Sequence, residues 1–397
     1  MPNNNYQEVT NQSWGSRMMS SIKGVAIGGL FFLGSFPLLF WNEGRAVQTA
    51  KSLKEGASNV VQLKSDIPSP ANEGKLVHLT GDVTVKGNLT DPEFNVSVLG
   101  VKLIREVEGY QWKEKSESKT RDKVGGGQET VTNYTYERVW STELYDSDKF
   151  KVQEGHANPK EFLYKSKEYI NDSVQLGEFK LSASLTNAMN KQEQISIQRL
   201  DSTVNESIKA TATVHESMIY IGSKNVTAPV IGDLRIRFKV VKPATVSIIS
   251  KQIGDTFEPY EADAGDEVEL LEYGKVSSKN MFAHAESANR MLTWILRLVG
   301  FAAMFMGLTL VFKPLVMVAN VLPFLGSILN LGIGIFAGII AFCLSFITIA
   351  IAWLFYRPIL SIVLLAIGVG IFILIKRYSK KKQTTNTNTA STSTPTK

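Results

Sequence analysis

Three long stretches of this chain contain no charged residue, and they separate parts of different character. They cover residues 24–41, 315–356 and 359–375. A bilayer has a hydrocarbon core of about 30 Å, which takes roughly 20 apolar residues as a helix and penalises unpaired charge. The pattern therefore predicts membrane-spanning helices near both ends of the chain, with a polar domain between the first and the second.

The carboxyl-terminal third of the chain needs a division into separate crossings. Lys313-Pro314 ends the first apolar run there, and the charge-free stretch that follows is too long for one crossing. Arg357-Pro358 makes the next turn. Four spans are predicted in all, at residues 24–41, 291–312, 328–356 and 359–375, with an interfacial or re-entrant segment at 314–327.

Lysine and arginine residues beside the predicted spans indicate the orientation of the protein. They precede the first span, follow the second, and form a cluster after the last. Because such residues favour the cytoplasmic side, both tails, 1–23 and 376–397, are predicted to be cytoplasmic. The domain at 42–290 then faces a lumen or a periplasm. The Thr-rich end of the second tail is predicted to be disordered.

Between the spans, apolar residues alternate with polar ones, which is typical of half-buried strands. Residues 77–85 and 234–240 alternate in this way. Lys242-Pro243 interrupts the second run before residues 246–248 resume it, which predicts a hairpin.

A second hairpin is predicted from residues 101–114 and 130–142, and residues 158–188 are expected to hold a helix. Helical spacing of apolar residues also predicts a helix at each neck of the domain: one after the first span that lies on the membrane surface, and one that continues into the second span. The predicted fold class is a membrane protein with four transmembrane α-helices, one N-terminal and three C-terminal, and a large β-dominated α+β domain.

Composition and charge fit a membrane-anchored domain. Of 397 residues, 44 % are hydrophobic, an average over a polar middle and apolar ends. The net charge of +6 does not indicate nucleic acid, because part of it flanks the last span. The single cysteine, Cys343, lies in an apolar run, so neither disulfides nor thiolate chemistry are predicted for the domain.

A search for catalytic or metal-binding motifs favours no enzyme class and no cofactor. The four histidines, His78, His156, His215 and His284, do not have the spacing of metal ligands. No phosphate-binding loop or nucleophile elbow occurs. Residues 291–375 contain no Asp, Glu or His, groups that proton- or cation-coupled transport generally needs at depth, so a pump is not favoured.

Two sets of residues are candidates for contacts within the membrane. Small residues at helical spacing predict helix association, inside one bundle or between copies of the chain. Arg297, two turns into the second span, is interpreted as reaching the headgroups rather than as one partner of a buried functional pair. The association candidates are Gly24, Gly28, Gly334, Gly338, Ala366 and Gly370, and the headgroup candidates are Arg297, Lys376, Arg377, Lys380, Lys381 and Lys382.

Several segments, in their order along the chain, resemble the transmembrane protein 43 (LUMA) family from about residue 24 to residue 375. The first twenty residues and the regions 113–133 and 180–215 do not match. The matching segments are NEGRA at 42–46, NEGKLVH at 72–78, VKL at 101–103, YQW at 110–112, GH at 155–156, NP at 158–159, GDLR at 232–235, AMFMGL at 303–308 and AWLFYRP at 352–358.

The resemblance implies a four-span protein without catalytic activity that self-associates and organises membrane protein complexes. In eukaryotes it implies the endoplasmic reticulum and inner nuclear membrane, with emerin and lamins as associated proteins. In a bacterial relative it implies the inner membrane with a periplasmic domain. The expected partners are membrane lipid, other copies of the chain and other membrane proteins.

Two other functions stay open from the residues alone. A membrane-anchored hydrolase acting on lipid or envelope polymer would need convergent polar groups around His78 or His156. A channel or transporter would need a water-lined path through Arg297, Asn320 and Asn330.

Overall fold

In the computed structural model, long helices occupy the ends of the chain and strands occupy the middle. It describes residues 4–63, 66–223, 225–319, 323–363 and 366–367. The helices are α1 (Trp14–Asn59), α2 (Ala183–Ala188), α3 (Glu206–Thr211), α4 (Ser278–Ala319) and α5 (Pro323–Tyr356). The strands are β1 (Asn5–Gln12), β2 (Val61–Gln62), β3 (Leu76–Val85), β4 (Leu89–Thr90), β5 (Ser97–Val98), β6 (Lys102–Asp122), β7 (Gln128–Ser141), β8 (Lys167–Ile170), β9 (Val174–Leu176), β10 (Phe179–Lys180), β11 (Gln192–Gln194), β12 (Ala212–His215), β13 (Met218–Ile221), β14 (Leu234–Val241), β15 (Thr245–Ile253), β16 (Thr256–Glu258), β17 (Tyr260–Glu261), β18 (Glu267–Val268) and β19 (Leu270–Tyr273).

The described residues form two units. The domain unit holds residues 4–17 and 51–287, and the bundle unit holds residues 18–50, 288–319 and those from 324 onward. Helix α1 therefore contributes its first and last turns to the domain unit and its middle to the bundle unit.

The domain unit is built on two large sheets. Sheet A has eight strands in the order β1-β7-β6-β14-β13-β12, with β11 on β14 and β8 on β6. Sheet B has seven, in the order β10-β9-β3-β15-β16, with β19 on β15 and β2 on β3. Among the described strands, every pair is antiparallel except β2 with β3. The central pairs, β6 with β14 and β3 with β15, join strands that are far apart in the sequence.

Sheet A buries one alternating set of apolar side chains, whereas Leu76 of β3 and Ile249 of β15 show that sheet B is also buried on its second face. In sheet A the core includes Leu103 and Val107 of β6 and Ile236 and Phe238 of β14. In sheet B it includes residues of β3, β9 and β15, closed by the stacked rings of Phe179 and Phe257. The apolar positions of the period-two pattern in the sequence thus correspond to side chains in these two cores.

One predicted hairpin is confirmed and one is wrong. Strands β6 and β7 pair over fourteen positions, from Gly109 with Ser141 to Asp122 with Gln128. By contrast, β14 pairs with β6 in sheet A, whereas β15 pairs with β3 in sheet B. The Lys242-Pro243 break carries the chain from one sheet to the other, because proline cannot supply the ladder hydrogen bond at this point. Of residues 158–188, only the six of α2 are helical.

The outer halves of β6 and β7, together with β1, form a three-stranded ribbon, which we define as residues 5–12, 113–122 and 128–137. Strand β1 pairs with β7 from Asn5 with Thr135 to Gln12 with Gln128. At the tip, Arg17 of α1 donates to the carbonyl of Gly126 at 2.6 Å and lies 2.9 Å from the Asp122 carboxylate. Residues 5–12 are therefore part of a sheet, although the sequence placed them in a tail.

In the bundle unit, α1, α4 and α5 pack through small residues. A Cβ added to Gly28 of α1 would lie 2.7 Å from the Gly307 carbonyl oxygen of α4, so the two backbones touch where only glycine fits. Leu39, Met304 and Ala341 are buried at the centre of the unit. Leu30 and Phe31 are exposed, as expected for side chains that face lipid.

Three described helices are long and apolar enough to cross a membrane: Trp14–Asn59, Ser278–Val318 and Leu331–Tyr356. The two necks are continuous with α1 and α4, so the first neck is not a separate surface helix. Most of the predicted fourth span, 359–375, lies outside the described residues, as does the tail 376–397.

The boundaries predicted around Pro314 are wrong. Helix α4 runs through Pro314 to Ala319, and α5 already begins at Pro323, so the predicted segment 314–327 is divided between two helices. A proline removes one backbone hydrogen bond, and a helix with packed neighbours tolerates this loss more readily than the sequence alone indicates.

The pairing of β1 gives a test of topology. Two paired strands must lie on the same side of the membrane. The β1–β7 pairing is therefore incompatible with the predicted placement of residues 1–23 and 42–290 on opposite sides of the membrane. That placement stays a prediction. In a Cys343→Ser background, cysteines at Thr10 and Thr130, which are directly opposed, should form a disulfide within one chain on mild oxidation.

The control for this crosslink pairs Thr10 with Glu137, which lies seven residues along β7 from Thr130. It should stay reduced. Gel mobility under non-reducing conditions reports both results. Absence of the Thr10–Thr130 disulfide, or its formation only between chains, would contradict the pairing.

Asp233 provides a second test, in the loop before β14. Its buried carboxylate accepts hydrogen bonds from the Ser223 and Val230 backbone N–H groups, at 2.9 and 2.7 Å, and from the Tyr220 hydroxyl. Burial by itself would raise the pKa of Asp233, but the hydrogen bonds from Tyr220, Val230 and Ser223 outweigh it and lower the pKa below its ordinary value.

Replacing Asp233 with Asn should lower the free energy of unfolding by about 2 kcal/mol at neutral pH, because amide hydrogens would face backbone donors. A carboxyl with a depressed pKa stabilises the fold above its unfolded pKa of about 3.9, and this contribution disappears as the pH falls through the folded value. The difference in the free energy of unfolding between wild type and Asp233→Asn should therefore become smaller below about pH 4. Thermal unfolding in detergent measures it. A pH-independent difference would argue against the charged hydrogen bonds.

Candidate functional site

A buried ion pair lies between α1 and α4 in the bundle unit. Glu43 is fully buried, and its carboxylate accepts two hydrogen bonds from Arg297, at 2.6 Å from Nε and 2.8 Å from Nη2. Trp353 of α5 donates its indole N–H to the same carboxylate at 2.8 Å. One carboxylate thus connects α1, α4 and α5.

Aromatic rings cover the guanidinium of Arg297. Its Cζ lies 4.7 Å from the ring centre of Trp294 and 5.8 Å from that of Trp353. A guanidinium attracts the faces of indole rings, most strongly where water is excluded. The charge of Arg297 is therefore held by one carboxylate and two rings.

A polar group adjoins this pair. Arg45 donates to Asn289 Oδ1 at 3.0 Å, to Thr293 Oγ1 at 3.1 Å and to Asn42 Oδ1 at 3.4 Å. Asn42 in turn donates to the Thr293 carbonyl, and Asn289 to the Ala46 carbonyl. Together with Glu43, Arg297 and Trp353, these residues form what we call the interface cluster: Asn42, Glu43, Arg45, Asn289, Thr293, Arg297 and Trp353.

The interface cluster sits where the apolar surface of the bundle ends. Trp41 and Trp294 are more than half exposed, and Tyr356 lies at the end of α5 with its ring against Gly44. Tryptophan and tyrosine are enriched at the level of lipid headgroups. The cluster is therefore a polar layer at one boundary of the apolar bundle.

Arg297 differs from its predicted role. It was interpreted as reaching toward headgroups, but its side chain is only 14 % exposed and pairs with Glu43. The pair could not be predicted from the sequence, because it depends on the antiparallel register that brings residue 43 of α1 to residue 297 of α4. A usable signal was present, since Glu43 follows the first span by two residues and has the opposite charge.

The other predicted contact residues are placed unevenly. Gly28 lies at a helix contact within the chain. Among the described residues, a Cβ added to Gly24 or Gly334 would meet nothing within 4 Å, and one added to Gly338 would lie 3.7 Å from the Phe305 ring. Ala366 is helical and exposed. Gly370, Lys376, Arg377, Lys380, Lys381 and Lys382 lie outside the described residues.

Two histidines of the domain unit, His78 and His156, are buried in its packing. The ring nitrogens of His78 lie 2.6 Å from Gln62 Oε1 and 2.9 Å from the Val276 carbonyl oxygen, and burial lowers the pKa of His78. His156 is fully buried and stacks on Tyr136 at 4.0 Å. Among the described residues, no three His, Cys, Asp or Glu side chains are grouped as metal ligands.

Two clefts in the domain unit have volumes of about 530 and 650 Å³, and Asn95 lines both of them. None of the described residues that line these clefts is a histidine. Both ring nitrogens of His78 are thus engaged in hydrogen bonds, the buried Nε2 of His156 has no partner in the described structure, and neither histidine lines these two clefts.

The segments that carried the family resemblance meet one another in space. Asn158 accepts from the Trp112 backbone N–H at 2.7 Å and donates to the Trp112 carbonyl at 2.8 Å. Tyr110 donates its backbone N–H to the Asp233 carbonyl at 2.8 Å. In the bundle unit, the segment at 42–46 meets the segment at 352–358 through the Glu43–Trp353 hydrogen bond.

Comparison with known proteins decides the family. A family model described as Transmembrane protein 43 matches residues 109–358. The chain belongs to the transmembrane protein 43 family. It is similar to transmembrane protein 43 of the mouse, with 36 % identity over 86 % of this chain and 87 % of the relative, and of human, with 35 % identity over 88 % of each. It is also similar to the transmembrane protein 43 homolog of Drosophila melanogaster, with 30 % identity over 86 % of this chain and 91 % of the relative.

Membership of the transmembrane protein 43 family agrees with a membrane protein that carries a large sheet-rich domain. The names of these relatives describe no enzyme class. No solved structure matches the chain.

The pair in the interface cluster should behave as a unit in a double-mutant cycle. Removing one partner of a buried ion pair leaves an uncompensated charge and costs roughly 3–5 kcal/mol, whereas removing both costs much less. Glu43→Gln and Arg297→Gln should each destabilise the full chain strongly, and the double variant should be more stable than the sum predicts, by about 3 kcal/mol.

Unfolding of the purified full chain in mixed detergent micelles measures these free energies. Lys313→Gln is the matched control, because Lys313 is an exposed cation on the same helix as Arg297. Its loss should change stability by less than about 0.5 kcal/mol. Additive effects of the Glu43 and Arg297 substitutions would refute the pair.

Proposed function

We propose that this chain is an integral membrane scaffold that self-associates and organises membrane protein complexes through its domain unit. In a eukaryotic cell the proposal places it in the endoplasmic reticulum and inner nuclear membrane, and in a bacterium in the inner membrane. The observation that carries the proposal is the ribbon, because it is shaped for contact with other molecules.

The ribbon leaves the core of sheet A and has free edges. Strands β14 and β8 pair with β6 only over Lys102–Gly109, so the outer part of β6 pairs on one side alone. Over Tyr6–Gln12, β1 pairs with β7 and with no other described strand. Unpaired backbone N–H and C=O groups along an edge are a template for another strand, so both edges favour protein contacts.

The two faces of the ribbon differ in chemistry. One face of β6 carries Lys113, Lys115, Glu117, Lys119 and Arg121, so it is charged with an excess of positive residues. The other face carries hydroxyl groups, with Ser118 Oγ 2.9 Å from Thr132 Oγ1. Residues 115–121 are exposed, so these side chains contribute little to the core and are available to a partner.

In the same proposal, the interface cluster stabilises the membrane anchor of the scaffold. A scaffold has to hold its contact surface at a fixed place on the membrane, and a bundle closed by a buried ion pair is suited to that task. Membrane lipid and other membrane proteins are the proposed partners, together with a second copy of the chain.

Excision of the outer ribbon tests the scaffold function. Glu114 and Tyr136 are directly opposed, so an Asn-Gly turn can replace residues 115–135 and preserve the pairing below it. The variant should keep the unfolding temperature of the remaining domain within a few degrees, since the deleted side chains are largely outside the cores. It should lose most of the self-association and co-purified membrane proteins seen after crosslinking in native membranes.

The control for the excision is Glu161→Gln with Lys165→Gln, an exposed pair outside the ribbon. It should associate as wild type does. If the excised chain folds and still forms the wild-type complexes, the ribbon does not carry the scaffold function.

A further inference from the structure

Arg45 is a cation without an anionic partner in the interface cluster. Its three acceptors are the neutral oxygens of Asn42, Asn289 and Thr293. Within the described residues, no carboxylate lies at ion-pair distance from it, because Glu43 is committed to Arg297. The cluster therefore contains one carboxylate and two guanidinium groups, and it carries one uncompensated positive charge.

The guanidinium of Arg45 is also incompletely hydrogen bonded. Its Nε is buried and has no acceptor in the described structure. Buried polar groups are normally satisfied, and a partly buried cation is stabilised by a nearby anion. The three neutral acceptors fix the side chain in one orientation and use one of the two Nη1 hydrogens, so the second Nη1 hydrogen is already oriented for an incoming acceptor.

The position of Arg45 along α1 indicates which anion can lie next to it. Trp41 lies one helical turn before Arg45 on the same face of α1, and its ring is 55 % exposed at the end of the charge-free run. Such a tryptophan marks the headgroup level of a bilayer. Arg45 is only partly buried, and the phosphate groups of lipids lie at this level.

We propose that Arg45 binds the phosphate group of an anionic phospholipid, with Asn42, Asn289 and Thr293 as the residues that hold its guanidinium in place. Arginine donates to phosphate oxygens in charge-assisted hydrogen bonds, which are stronger than those to amides or hydroxyls. The lipid supplies the missing negative charge, and its chains lie along the exposed apolar surface below Trp41.

Titration of the full chain in detergent micelles tests the proposal. Phosphatidylglycerol should bind and raise the unfolding temperature, whereas diacylglycerol with the same chains, which lacks the phosphate, should not. Arg45→Gln should weaken phosphatidylglycerol binding at least about tenfold, and Arg45→Lys, which keeps the charge, should weaken it less. Lys51→Gln, an exposed cation on the same helix, should bind as wild type does.

A second measurement does not depend on the folding of a variant. A photoreactive group on the phosphatidylglycerol headgroup should label wild-type α1 or α4 within the interface cluster, as mapped by mass spectrometry of the digested chain. Equal binding by wild type and Arg45→Gln, or labelling confined to other segments, would overturn the proposal. Equal stabilisation by inorganic phosphate would overturn the assignment to lipid.

Discussion

The bundle depends on one constraint: a charge buried among apolar helices has to meet its counter-charge. Glu43 meets Arg297, and this pairing sets the antiparallel register of α1 and α4. The close approach of Gly28 to Gly307 and of Leu39 to Gly300 follows the same register. Trp353 then fixes α5 through the remaining capacity of the Glu43 carboxylate.

The residues that make the chain recognisable as a family member are mostly buried and bonded to each other. Asn158 holds Trp112, Asp233 holds the loop before β14, and Glu43 holds three helices. Similarity of this kind reports a shared architecture. The β6 and β7 parts of the ribbon lie within the residues that the family model matches, although the sequence patterns did not mark them as family segments.

Local patterns predicted the elements well and their long-range partners poorly. Charge-free runs located the helices, and period two located β3, β6 and β14. The sheet to which β15 belongs could not be predicted, because a proline break looks the same in a hairpin and in a crossover. The same limit applied to Arg297, whose chemistry was clear while its partner 254 positions away was not. Strand β1 was missed because a polar edge strand buries no alternating apolar face.

The distance between Glu43 and Arg297 in a lipid bilayer tests the central claim most directly. Solid-state NMR on full-length protein with a labelled Glu43 carboxyl carbon and labelled Arg297 guanidinium nitrogens measures it without changing any side chain. The ion pair predicts a carbon-to-nitrogen distance of about 3.5 Å, as in a bidentate contact. A distance beyond about 6 Å would show that the two charges do not meet and that another interaction closes the bundle.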